Sequence, residues 1–367
     1  METLVAIFRE VHDPRDFNAR HDLGAMLFIA LAATLCRAKN CVDIADFAEA
    51  NAEMLGEIVD LPHGAPSHDS FSRLFRLIDP AELGTVLERF GRALREALGI
   101  GPPKGVVAID GKSLRRGYER GHACMPPLML SVWDAETRLS IAALRAERGD
   151  EIGATLQVLK SLVLKGCIVT ADALHCHPRM AEAVRATGAH YALGLKANHG
   201  PLYAAAVAAF AKADASGALA FHECSERGHD RLERRRVSVI ARPAEAPTFP
   251  GLAALARIEA ERKSAGGKLE TATRYVALSK RLPPARVLEV TRAHWSVEND
   301  LHWQLDVVFN EDDARSRKNY APQNLAVIRR MALDILRSHP AEKSIARKMK
   351  LAAWSKVFFF ELFAHMR

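Results

Sequence analysis

The chain has 367 residues, 49% of them hydrophobic and 26% charged, and reads as an ordinary soluble globular protein with material for one large core or two to three coupled domains. A net charge of +7 favours a polyanionic partner, because clustered Lys and Arg attract phosphate backbones and release their counterions. Six irregularly spaced cysteines with no secretory leader read before them fit a reduced cytosol, and the longest apolar run, Gly24 to Cys36, is too short to cross a bilayer.

Residues 1–98 read as an all-helical N-terminal domain. Apolar residues recur at three- and four-residue intervals in "LGAMLFIALAATLC", "VDIADFAEANAEMLGEIV" and "DSFSRLFRLI". The break at "DLPHGAPSHDS" leaves Ser67 or Asp69 to cap the next helix, and "GIGPPKG" makes a linker over 99–105. From 106 the pattern changes to short β-rich runs, "VVAID", "LMLSVWD" and "RLSIAALRAE", which predict a three-stranded meander. A helix over Ile152 to Leu164, the strand "CIVTAD", a helix over Pro178 to Thr187 and the strand "HYALGLK" follow. The first part of an α/β core thus occupies 106–203. A β-rich insertion spans 204–286, with a hairpin turning at Gly266 and Gly267. The core ends over 287–338 with the helix "RVLEVTRAHWSVENDLHWQLDVVF" and the run "APQNLAVIRRMALDILR", and 339–367 form a basic, aromatic tail.

Asp110 ends the buried run "VVAI" and Asp172 ends "CIVTA". Open α/β sheets bind ligands beyond the carboxyl ends of their strands, so both side chains are expected in one cleft. Two hard oxygen ligands there suit Mg2+, with Mn2+ as a substitute. Glu298 is the third candidate acid: His294, Glu298 and His302 recur every four residues, beside an apolar stripe of Val297, Leu301, Leu305 and Val308. Three carboxylates can seat two ions that promote in-line displacement at phosphorus. Lys112, Arg115, Arg116, Lys196 and Arg315 are candidates to position the scissile strand, with Arg317 and Lys318 bordering the proposed cleft.

The ordered segments "AIDGKSLRRGYERG", "GCIVTADAL", "YALGLKANHGPL", "GHDRLERRR" and "HWSVENDLHWQLDVVFNEDDARSRKNYAPQNLAVIRR" resemble the DDE transposases of bacterial insertion sequences, in the group that contains the H-repeat-associated proteins. The likeness spans almost the whole chain, since residues 21–51 and "PSHDSFSRLFRLIDP" are similar to that group's N-terminal transposase-associated domain. The resemblance implies a ribonuclease-H-like catalytic core with a β-rich insertion. It implies Asp110, Asp172 and Glu298 as the catalytic, metal-holding acids, and cutting and strand transfer at terminal inverted repeats with a divalent ion. Double-stranded DNA, both repeat and target, is the expected partner, a homodimer the expected synaptic form, and the cytoplasmic nucleoid the expected location. The same segments add Asn198, His229, Arg231, His294, Asn299 and His302 as candidate DNA contacts. Thr291, His294 and Leu305 stand where the related signature carries Tyr, Arg and Lys, and His177 and His199 replace expected glutamines. These departures keep open a decayed or domesticated copy that binds DNA without cutting it.

Three other strings are decoys. "DGKS" at 110–113 lacks the earlier glycine of a phosphate-binding loop, because Val106 stands there. "HCH" at 175–177 reads as a capped turn with surface histidines rather than a zinc site. Trp295 and Trp303 read as packing residues, and Arg329, Arg330 and Arg337 as DNA contacts only if they face outward.

Overall fold

Local capping chemistry sets where the helices begin. In a computed structural model of the chain, residues 1–118, 125–217, 219–228, 231–264 and 269–364 are described. The first helices are α1 (Glu2–Arg9), α2 (Leu23–Leu35), α3 (Cys41–Ala50), α4 (Ala52–Gly56), α5 (His68–Leu77) and α6 (Pro80–Ala97). Strands β1 (Val106–Ser113), β2 (Leu128–Asp134) and β3 (Leu139–Ala146) follow, then α7 (Glu151–Leu159), β4 (Ile168–Ala171), α8 (Pro178–Ala186) and β5 (His190–Leu195). Next come α9 (Gly200–Ala215), β6 (Phe221–Gly228), β7 (Arg231–Ala241), β8 (Ala254–Ser264) and β9 (Leu269–Leu278). The chain closes with α10 (Pro284–His294), α11 (Trp303–Val307), α12 (Ala321–Ser338), α13 (Ile345–Trp354) and α14 (Lys356–Glu361). The result is a mixed α/β fold with a large, mostly sheet core.

Two compact units divide the chain. The first comprises 1–102, 111–154 and 297–367. Asp22 caps α2 by accepting the Ala25 N–H at 2.8 Å, and all thirteen residues of that helix are buried, as expected of a helix apolar on every side. Ser67 is the cap of α5, and Asp79 with Pro80 at the first turn starts α6. The apolar face of α6 packs on β3, close enough that a Cβ on Gly84 would lie 2.9 Å from the Ala143 carbonyl oxygen. Helix α12 is buried along nearly its whole length, and its Asn324 side-chain amide donates to the Phe75 and Ile78 carbonyls, satisfying acceptors at the end of α5.

The second unit comprises 103–110 and 155–296. Its strands lie in the order β1-β4-β5-β9-β8-β7-β6. Strands β1, β4 and β5 are parallel, with Ala108 opposite Thr170 and Ala171 opposite Leu193. The run Val106 to Ile109 is buried throughout, the pattern of a parallel strand covered on both faces. Strand β9 pairs antiparallel with β5, so the β-rich stretch extends the same sheet, and β9, β8, β7 and β6 form a meander. Its outer part is exposed and laced with ion pairs, among them Arg234–Glu223 at 2.7 Å and Arg235–Glu233 at 2.8 Å. The expected turn at Gly266 and Gly267 lies outside the described residues.

Two helix expectations need correction. The run "VDIADFAEANAEMLGEIV" is split at Asn51, which leaves helical geometry and donates its side-chain amide to Phe47 O, so α3 and α4 are separate. The long helix expected from "RVLEV" to "DVVF" is three pieces: α10, a π-helical segment Val297–His302, and α11. Val297, Leu301 and Leu305 are buried as the stripe predicts, while Val308 is half-buried. None of the helices among the described residues is long and apolar enough to cross a membrane.

Candidate active site

Asp110 lies in β1, and Asp172 directly follows β4, the strand that pairs parallel with β1. Continuing the Ala108–Thr170 register by two residues sets them opposite each other, on the sheet face that Thr170 shares by the two-residue alternation of strands. Neighbouring strands are about 4.8 Å apart, which sets the scale of the separation between the two backbones. Asp172 is exposed, and one of its oxygens accepts the Leu174 N–H at 2.9 Å, which fixes it as the cap of a short 3-10 turn. The partly buried Asp110 lies between that buried run and Gly111. A Cβ on Gly111 would lie 2.6–2.8 Å from the Glu151 carboxylate, the far end of a flexible side chain that would have to swing aside.

Helix α10 brings His294 to the same face, where its Nδ1 and the Thr170 hydroxyl form a 3.1 Å hydrogen bond. Burial pushes the imidazole down to about 4, the Asp172 charge opposes that shift, and His175 adds to it, so His294 is neutral at pH 7. Its environment is that of a supporting group behind Asp172, not of an open phosphate contact. His199 Nε2 lies 3.3 Å from the Ala173 carbonyl, and His177 Nδ1 accepts the Arg179 N–H at 3.2 Å to cap α8. His175 is fully buried, which corrects the picture of a turn bearing only surface histidines.

Glu298 belongs to the other unit, in the π-helical segment, and is exposed. Such wide turns recur at functional positions because they re-aim one side chain within a helix. Asn299 is exposed beside it. His302 turns inward instead: burial, with the Arg330 and Lys112 charges, pushes it down to about 3. Thr291 bonds its own helix through Val287 O, and Leu305 is fully buried.

Among the candidate basic contacts, Lys112 stands apart. Its side chain is 7% exposed and its ammonium lies 2.7 Å from Asp306 and 2.9 Å from Asp312, with Glu311 at 3.8 Å. A cation held this way has its charge matched inside the protein, which argues against a phosphate contact. Arg115 reaches Asp312 at 3.2 Å and Arg116 reaches Asp313 at 2.9 Å, yet both side chains stay largely open. Arg315, Lys318 and Lys196 are exposed and Arg317 is half-buried. His229 lies outside the described residues, as do the side chains of Asn198 and Arg231.

The acidic partners Asp306, Glu311 and Asp312 were not candidates from sequence, although the string "NEDD" one residue before the basic "RSRK" marks Glu311 and Asp312. Glu311 is buried between Arg329 and Arg330, at 3.7 and 3.6 Å, so those two arginines do not face outward. Arg337 is likewise turned in, donating to Asp300 O. Trp295 and Trp303 are 39% and 52% exposed, so neither is the packing residue expected; the Arg274 guanidinium lies 5.2 Å from the Trp295 ring centre.

As to a metal, no group of three or more His, Cys, Asp or Glu among the described residues is arranged to hold one. The hard-oxygen pair Asp110 and Asp172 fits a Mg2+-type ion that takes its remaining ligands from water and substrate phosphates, as such ions commonly do.

The pattern described as Transposase DDE domain covers residues 101–335, and that described as DDE_Tnp_1-associated covers residues 5–90. The chain belongs to the DDE-domain transposase family. Among its relatives, it is 31% identical to the protein YbfL of Escherichia coli (strain K12) over 95% of this chain and 94% of that one. It is 30% identical, with the same coverage, to the H repeat-associated YhhI of the same strain. Among solved structures, a piggyBac transposase in a synaptic complex with hairpin DNA is similar at a TM-score of 0.44 and 11% identity, over all of this chain and 79% of that one.

Proposed function

We propose that this chain is an active DDE transposase that cuts DNA at the terminal inverted repeats of an insertion sequence and joins the freed ends to target DNA. Asp110, Asp172 and Glu298 are its metal-holding acids, on a ribonuclease-H-like core. The observation that carries the reading is that Asp110 and Asp172 follow the paired runs of the parallel strands β1 and β4 in a chain whose DDE-domain match runs through both. When bound, Mg2+ or Mn2+ would activate a water or 3' hydroxyl and stabilise the leaving oxygen.

The chain's own residues bind and orient. Asp172 is fixed by the Leu174 N–H, and neutral His294 supports its strand through Thr170 without adding charge. The exposed Arg115, Arg116, Arg315 and Lys318, with Lys196 from the other unit, hold the DNA backbone, which positions the strand without reading its sequence. A homodimer holds two element ends together, and the protein acts on DNA in the cytoplasm. The binding-only reading is favoured by one feature, the buried His294 and Leu305 at positions where the related signature carries Arg and Lys.

The test is cleavage of a labelled terminal-repeat duplex by the wild type and by Asp110→Ala and Glu298→Ala. Both variants should bind the repeat with nearly unchanged affinity and leave it uncut. A variant that still cleaves removes that acid from the site, while specific binding without metal-dependent cutting by the wild type favours the binding-only reading.

A further inference from the structure

The first unit contains a cavity of about 390 Å³ lined by Arg116, Tyr118, Arg315 and Arg317. Three guanidiniums converge on it, and only Arg116 is neutralised, by Asp313 at 2.9 Å. Arg315 and Arg317 meet no carboxylate among the described residues. Its wall is built by defined contacts. Arg317 Nε donates to the Arg116 carbonyl at 3.0 Å, the Gly117 N–H donates to Leu114 O at 2.8 Å, and a Cβ on Gly117 would lie 3.1 Å from Pro322. The segment carrying Arg116 and Tyr118 is therefore held against the one carrying Arg315 and Arg317.

The size and chemistry narrow the occupant. The cavity falls in the range of about 300–1,000 Å³ usual for ligand sites, much more than one phosphate fills. Arginines supply forked donors for phosphate oxygens, and Tyr118, 38% exposed, offers a ring face on which a base can stack. A base inside a duplex has no free face to offer. We propose that this cavity takes one unpaired nucleotide of a DNA strand, with its phosphate on Arg315 and Arg317 and its base against Tyr118. The inference rests on the DNA-cutting reading for its choice of polynucleotide but concerns binding, which is measured without cutting.

The test compares the affinity of the full chain for a blunt duplex, the same duplex with a short single-stranded overhang, and a mononucleotide, by fluorescence anisotropy without divalent metal. The wild type should prefer the overhang. Tyr118→Leu should lose about tenfold in overhang affinity, the scale of one stacked base, while Tyr118→Phe keeps it and blunt-duplex affinity is unchanged in both. Arg315→Gln should weaken overhang binding and flatten its salt dependence by about one ion. Equal affinity for blunt and overhang duplexes, or an unchanged preference in Tyr118→Leu, overturns the proposal. A mononucleotide that competes as well as the overhang also overturns it, in favour of a free-nucleotide site. Overhang preference that depends on Tyr118 supports the proposal even if the wild type cuts no DNA, so the two readings fail separately.

Discussion

Replacing Lys112 by Met removes the buried cation that lies among three carboxylates while keeping most of the buried stem. The Lys112 ammonium sits 2.7 Å from Asp306 and 2.9 Å from Asp312, with the buried Glu311 at 3.8 Å. Breaking a buried ion pair costs about 3–5 kcal/mol, because the abandoned charges remain desolvated. Asp306 and Asp312 are 32% and 24% exposed, so water offsets part of this, and a loss of about 3 kcal/mol is expected. At about 2–4 °C per kcal/mol, the transition should fall by about 6–12 °C. The pH dependence gives a second reading. Burial already raises the Asp306 carboxyl and Lys112 pulls it back down, so without Lys112 the charged form is penalised further at neutral pH. A group raised in the folded state costs stability above its unfolded value, and that cost fades as falling pH protonates it. The deficit of Lys112→Met should therefore be larger at pH 8 than at pH 5. Thermal and urea unfolding at both values measure this. An unchanged midpoint together with a DNA-binding salt slope reduced by about one ion would refute the internal clasp and restore Lys112 as a phosphate contact.

Three further substitutions probe the same unit. Glu311→Gln removes the carboxylate that Arg329 and Arg330 share and should cost about 3–5 kcal/mol in urea unfolding; a loss under about 1 kcal/mol would contradict the buried cluster. Gly84→Ala drives a Cβ to 2.9 Å from Ala143 O, so α6 must shift from β3, at about 1–3 kcal/mol; equal stability would mean the contact is looser than described. His302 is held down to about 3 against about 6.5 when unfolded, so below pH 6.5 the unfolded chain takes a proton that the folded one refuses. Stability falls as pH drops from about 6.5 toward 3, by about 2 kcal/mol at pH 5, and His302→Gln should lose that share of the slope in acid urea titrations.

Period and capping carried much of the fold at the level of single elements. The strand order of the core, the Ser67 cap and the buried α2 follow from alternation, hydroxyl placement and unbroken apolarity. What escaped were features that depend on distant partners. No local pattern separates a helix from a π-helical turn, so "WSVENDLHW" read as one continuous helix. Lys112 looked like a phosphate contact because its partners lie about two hundred positions away. Arg330 and Glu311 form a buried ion pair that neither local string announces, while Trp303 stays exposed on a helix whose period alone did not assign it a face. The parallel pairing of the two apolar runs that precede Asp110 and Asp172 was legible in the unbroken apolarity of "VVAI" and "CIVTA".

Cleavage of a labelled duplex bearing the element's terminal repeat, with Mg2+ or Mn2+, by the wild type and Asp172→Ala tests the central claim most directly. The account predicts metal-dependent nicking at the repeat boundary by the wild type and none by the variant, with repeat binding retained in both. Nicking by Asp172→Ala at the wild-type rate would contradict the role given to the strand-end aspartates.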